Sequence, residues 1–321
     1  MSMLSLSTID EAYTRISHVV HLTPLVRNRT LAEMADSDLA LKAENLQRTG
    51  SFKIRGAFNK TAVVHEAGGT GVVTGSSGNH GAATAWAARY FHLQAHIVVP
   101  KNASPQKVQA ARSYGANIEF VGTTSQERLE RAQQISQDLG LSFVAPFDDP
   151  DVMAGQGTIG LEILEQLPEV ELVVVPVGGG GLIAGIATAI KGKRPDVRVI
   201  GVEPLGAPKA YLSRQQGRLI VLDSTDTIAD GLKTLSLGEK TYPVIERLVD
   251  DIVQVNDQEI HNAMSLLLTR QKMLAEPSGA ATLAYVLRRP SQIRHRKTVA
   301  VVSGGNIDPS SLCHLLDSST P

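Results

Sequence analysis

The chain has 321 residues, 42% of them hydrophobic but only 4% aromatic, and a formal net charge of −1. That length predicts two domains or one large α/β domain, and the near-neutral charge excludes a broad basic face for nucleic acid or an anionic membrane surface. The single cysteine, Cys313, rules out an internal disulfide, and the absence of any signal-like or transmembrane-length apolar run leads to the expectation of a cytoplasmic protein.

The first informative stretch in chain order, after a strand candidate at 39–44, is "TGSFKIRGAFNK" at 49–60. It reads as the opening of a helix, with Ser51 placed to cap it and Ile54, Ala57 and Phe58 on its apolar side. Lys53 falls in the first turn between Arg48 and Arg55, with no acid in the stretch. The positive end of a helix disfavours another cation there, which leaves open why a lysine stands where its ammonium form is least favoured. Further strands are expected at 71–75, 95–100, 117–122, 172–178, 197–203, 251–255 and 297–305. Helical periodicity covers 104–114, 125–139, 151–166, 181–192, 257–273 and 278–288. This alternation predicts mostly parallel sheets wrapped by helices, with ligands at the carboxyl edges of the strands. The even spacing over 71–122 predicts a smaller separate sheet, with "APFDDPD" (145–151) as the return linker.

Three glycine-rich turns follow strands. In "VVVPVGGGGLIAGIATAI", Gly178, Gly179, Gly180 and Gly181 end a buried strand and open a helix. Backbone amides free of side chains, at the positive end of a helix, suit a phosphate. The segment lacks the lysine and hydroxyl of a nucleotide triphosphatase. A dinucleotide site stays open here, because Gly179, Gly181 and Ala184 fit the relaxed G-x-G-x-x-A spacing and Glu203 follows about 20 residues on. "SSGNHG" (76–81) can grip a carboxylate with amides while Ser77 or His80 handles a proton, or can simply cap the next helix. Ser303 in "VSGGNID" could meet a ring nitrogen or cap a following helix.

Together, "ENLQRTGSFKIRGA", "SSGNHG", "AGQGTIGLEI", "PVGGGGL", "EPSGAAT" and "SGGNID" occur in one order across nearly the whole chain. The set closely resembles the fold-type II pyridoxal-phosphate enzymes, specifically the serine/threonine dehydratase and serine racemase group. The resemblance implies an α/β fold of the tryptophan synthase β kind: two open, twisted, mostly parallel sheets wrapped by helices, with the active site between domains. It implies a large cofactor-binding domain of residues 1–65 and 149–321, a smaller mobile domain of residues 66–148, and a homodimer in the short form lacking a regulatory domain. It assigns Lys53 to the cofactor aldehyde, Gly178 to Gly181 to the phosphate, Asn79 to the ring hydroxyl and Ser303 to the ring nitrogen. Ser76, Ser77, Asn79 and His80 would bind the substrate carboxylate, helped by Arg128 and Thr234. Ser77 would also be a second acid/base group on the face opposite Lys53.

The expected reaction is elimination of the β-hydroxyl of L-threonine or L-serine to a 2-oxo acid and ammonia. Serine racemisation, or dehydration of another β-hydroxy amino acid such as 3-hydroxyaspartate or phenylserine, is the alternative. A β-replacement synthase fits less well, because its substrate loop differs from "SSGNHG". In the segment where related racemases bind a divalent cation, Glu203 and Ala207 match but Lys209 stands in place of the second acid. No metal is therefore expected to act there. Ala82 likewise stands where nucleotide-stimulated racemases carry glutamine.

Overall fold

The computed structural model describes residues 4–76, 78–103, 105–123, 125–288 and 290–317. The elements run α1 (Leu6–Ile16), β1 (Leu25–Arg27), α2 (Arg29–Ala35), β2 (Asp38–Ala43), α3 (Lys53–Glu66), β3 (Gly71–Gly75), α4 (Asn79–Tyr90) and β4 (Gln94–Val99). They continue with α5 (Pro105–Ser113), β5 (Asn117–Phe120), α6 (Ser125–Leu139), β6 (Ser142–Phe143), α7 (Pro150–Gln166), β7 (Leu172–Pro176), α8 (Gly181–Lys193) and β8 (Arg198–Pro204). The last third holds α9 (Lys209–Gln216), α10 (Thr241–Leu248), β9 (Asp251–Val255), α11 (Asp257–Leu266), α12 (Pro277–Val286), β10 (Lys297–Val302) and α13 (Pro309–Asp317).

Among the described residues the strands form a six-stranded sheet, β1-β2-β10-β7-β8-β9, and a four-stranded sheet, β5-β4-β3-β6. Every pairing is parallel except that of β1 with β2. The central strands β7 and β3 are buried along their whole length, as expected for strands covered by helices on both faces. The carboxyl ends of β3, β7 and β10 therefore deliver Ser76, Gly178 and Ser303 to the ligand-binding edge of their sheets. Glycines also set helix packing. A Cβ on Gly157 of α7 would lie 2.9 Å from the Gly185 carbonyl oxygen of α8, so these two helices touch through backbone.

The helix that carries Lys53 is locked by a buried charge network. Arg55 donates to both oxygens of Glu44 at 2.8 Å and to both of Glu162 at 2.6 and 2.8 Å. Lys42 adds a 2.6 Å contact to Glu162. Two acids and two bases balance, and all four are buried. Burial works against the Arg55 charge, but Glu44 and Glu162 outweigh it and hold its pKa above the ordinary arginine value. The acids that pair with Arg55 therefore lie outside the stretch 49–60, which holds none. Arg48 likewise turns away, to the Val19 carbonyl and over the Trp86 ring at 5.5 Å.

Candidate active site

Helix α3 begins at Lys53 with Phe52 as its N-cap residue and no side-chain cap. The expected cap, Ser51, is instead buried in a backbone bridge with Gly304, its hydroxyl without a partner among the described residues. This pairing, with the bond from the Phe52 amide to the Ser303 carbonyl at 3.0 Å, holds Lys53 beside the end of β10. The Lys53 ammonium donates to the Pro146 carbonyl at 2.7 Å and lies over the Phe52 ring at 5.1 Å. Burial lowers its pKa from 10.5 to about 8, with Glu276 pulling back upward. The cause is desolvation, not the flanking arginines.

Phe147, next to the carbonyl that accepts from Lys53, packs on the glycine turn. A Cβ on Gly179 would collide with its ring, and one on Gly181 would lie 2.8 Å from its carbonyl oxygen. Lys53 and the turn are thus separated by one dipeptide. Gly180 has φ +96° and caps α8, a conformation that glycine adopts without strain. The Gly179 carbonyl is held by the Thr241 hydroxyl at 2.8 Å and the Gly238 amide at 3.2 Å. The amides of Gly178 through Ile183 have no acceptor among the described residues. Six donors at a helix start form an anion cradle.

The second anion-compatible start is α4. The amides of Asn79, His80 and Gly81 have no acceptor among the described residues, and the cap position is taken by Gly78 rather than a serine side chain. The Ser76 hydroxyl accepts from the Gly78 amide at 3.4 Å. The Asn79 side chain donates to Glu276 at 2.8 Å and accepts from Asn306 at 2.8 Å, which leaves one N–H and one lone pair for a ligand. The buried His80 ring bonds the Val144 carbonyl at 3.0 Å. Burial, and then the Lys53 charge, push its pKa down to about 3. His80 is therefore a neutral ring turned to the backbone, and its contribution to an anion site is its amide. Ser303 is 3% exposed, with its hydroxyl 3.5 Å from the Ser278 carbonyl; it caps no helix, since α13 starts at Pro309.

Arg128 is half-buried on α6, whose backbone packs against the end of β3: a Cβ on Gly75 would lie 2.8 Å from the Arg128 carbonyl oxygen. Burial lowers its pKa and Glu127 opposes. Thr234 is half-buried, with its hydroxyl unpartnered among the described residues. Ser77 lies outside the described residues. Glu276, Asn306 and Pro146 had no role in the linear reading. Glu276 could have been found as the one acid in the apolar stretch "MLAEPSGAATLAYV" (273–286); Pro146, acting through a carbonyl, leaves no sequence signal.

Glu203 does not serve a dinucleotide. Its carboxylate accepts from the Lys209 ammonium at 3.2 Å and from the Ala210 and Tyr211 amides at 3.0 and 2.7 Å, so none of it is turned to a ribose.

An amine of lowered pKa beside a glycine cradle, in this fold, defines a class. The chain matches the family described as pyridoxal-phosphate dependent enzyme over residues 16–304 and belongs to it; pyridoxal phosphate is its cofactor. It is 45% identical to an L-threonine ammonia-lyase of Geobacter sulfurreducens, over 97% of this chain and 77% of that protein. It is 42% identical to a serine racemase of Arabidopsis thaliana, over 97% of this chain and 96% of that one. The solved structure of maize serine racemase superimposes with a TM-score of 0.93 at 38% identity, covering 99% of this chain and 98% of that one. The cradle that a Cβ would fill, the amine and the Ser303 hydroxyl fit the phosphate, aldehyde and ring nitrogen of this cofactor.

Proposed function

We propose that this enzyme eliminates the β-hydroxyl of L-threonine or L-serine, giving a 2-oxo acid and ammonia. The observation that carries the reading is Lys53, an amine whose pKa is lowered to about 8, one dipeptide away from the Gly178–Gly181 cradle. Bound pyridoxal phosphate supplies an electron sink for the pair left at Cα when a proton is removed. Gly178 to Gly181 would hold its phosphate, Asn79 would meet the ring hydroxyl, and Ser303, a neutral hydroxyl, would face the ring nitrogen without protonating it. Lys53 as free base takes the Cα proton, a role that needs a pKa near the working pH. Ser76 and the amides that open α4, those of Asn79 and His80 included, bind the substrate carboxylate, helped by Arg128 and Thr234.

Residues 66–148 form the smaller, mobile domain in this reading, closing over residues 1–65 and 149–321. The bonds from Asn79 to Glu276 and Asn306 support closure, because they tie α4 to the larger part. A cytoplasmic homodimer is part of the same proposal. The support for a homodimer is a pair of exposed apolar side chains, Leu46 and Leu274, that line one hollow of the surface.

Serine racemisation is the second reading, favoured by the likeness to the Arabidopsis and maize proteins and by Ser77 as the acid/base group opposite Lys53. A panel of L- and D-β-hydroxy amino acids, scored for 2-oxo acid and for chiral inversion, tests both. L-threonine and L-serine are expected to give 2-oxo acid fastest. Product from phenylserine or 3-hydroxyaspartate alone would overturn the substrate assignment, and inversion outpacing elimination would make the racemase reading primary.

A further inference from the structure

Lys209 is fully buried and is the first residue of α9. Four oxygens surround its ammonium: Val177 carbonyl at 3.0 Å, Ala207 carbonyl at 3.1 Å, Leu232 carbonyl at 3.2 Å and Glu203 Oε2 at 3.2 Å. An ammonium has three protons to donate, so four oxygens enclose it as a cage encloses a cation. The radius is far larger than the 2.0–2.1 Å of Mg²⁺ or the 2.3–2.6 Å of Ca²⁺.

The cage stands at the root of the glycine cradle. Val177 immediately precedes Gly178. Leu232 follows Gly231, whose carbonyl oxygen would lie 2.8 Å from a Cβ on Gly178. The Gly231 amide is in turn held by the Ser278 hydroxyl at 2.8 Å. The ammonium thus ties together the strand end that enters the cradle and the segment that flanks it. Without a cation, three carbonyl dipoles and a carboxylate would converge on a void, and like dipoles repel.

We infer that Lys209 is a tethered cation: a positioning residue whose ammonium holds the Val177 and Leu232 carbonyls so that the Gly178–Gly181 amides converge on phosphate. It supplies from within the chain what a dissolved monovalent ion would otherwise provide. The inference rests on the reading of the glycine turn as the phosphate site.

The probe is pyridoxine 5′-phosphate, which has no aldehyde and so reports phosphate binding without Lys53. Its dissociation constant is measured by fluorescence on cofactor-stripped protein, in choline chloride and in potassium chloride. The unmodified protein is expected to bind equally in both salts. Lys209→Ala is expected to bind about ten- to a hundredfold more weakly in choline, the loss of a charge-assisted contact, and to recover with potassium or n-propylammonium chloride. Lys209→Met combined with Glu203→Gln keeps volume and charge balance; it is expected to fold, to bind as weakly in choline, and not to recover.

Undiminished binding by either variant in choline would overturn the inference, as would a folded Lys209→Ala protein that no cation rescues. An unmodified protein that needs potassium to bind would overturn it too. Failure of the unmodified protein to bind the probe in any salt would instead remove the phosphate-site reading beneath it.

Discussion

Lys53 and Lys209 occupy the same place in their helices. Each is the first helical residue, each helix lacks a side-chain cap, and each amine is pushed below the ordinary lysine pKa by burial. They differ in what faces the nitrogen. Lys209 has a carboxylate and three carbonyls around it, whereas Lys53 has the Pro146 carbonyl, and its nearest influential acid, Glu276, bonds Asn79. A caged ammonium is a fixed charge; an amine with one neutral acceptor can lose its proton. The environment, rather than the residue type or its place in the helix, decides which lysine does chemistry and which does carpentry.

The largest expected effect comes from removing the titratable member. Lys53→Ala should lower turnover by at least about 10²–10⁴-fold, the range for losing a positioned acid/base, and abolish the visible absorbance of the cofactor-loaded protein. A variant that stays coloured and active would end the distinction between the two lysines. Next is the fixed member's counter-charge. Glu203→Gln leaves a buried ammonium without its anion and should destabilise the protein by about 3–5 kcal/mol in denaturant unfolding. Asp196→Asn, which breaks the exposed contact to Arg194, should change nothing measurable. If the two substitutions behave alike, Lys209 is not a fixed charge.

The short apolar runs of β3 and β9 and the long helical period of α6 were legible: they fall at the expected residues 71–75, 251–255 and 125–139. Strand β1 has three residues and β6 two, too few for alternation to register. Periodicity over 257–273 ran on past the helix, because α11 gives way at Leu267–Gln271 to a wider π turn ended by Lys272 at φ +58°. In the site, the run of four glycines carried its own chemical signal. The surroundings of Lys53 did not, since Glu276, Pro146 and Ser303 come from distant segments. Arg48 and Arg55 are adjacent to it in sequence, yet one turns to Val19 and the other is neutralised by Glu44 and Glu162. Linear neighbours were therefore the wrong place to look for what depresses the amine.

The finest test of the comparison is a titration. In cofactor-stripped protein, the Lys53 free-base fraction should rise with a midpoint at about pH 8, followed by acylation rates at pH steps with peptide mass spectrometry. Lys60 on the same helix is the internal control. Burial works against its charge, but Asp149 and Asp151 hold its pKa above the ordinary lysine value, so it should stay unreactive well past that midpoint. The linkage has a definite sign. Because the folded pKa lies below the unfolded value of 10.5, Lys53 opposes folding in full below about pH 8, and that opposition fades as pH rises towards 10.5. Glu276 is the charge that raises the Lys53 pKa, so Glu276→Gln should move the midpoint below 8 rather than above it. An upward shift, or none, would mean that Lys53 does not feel Glu276, and that burial alone separates this amine from the caged one.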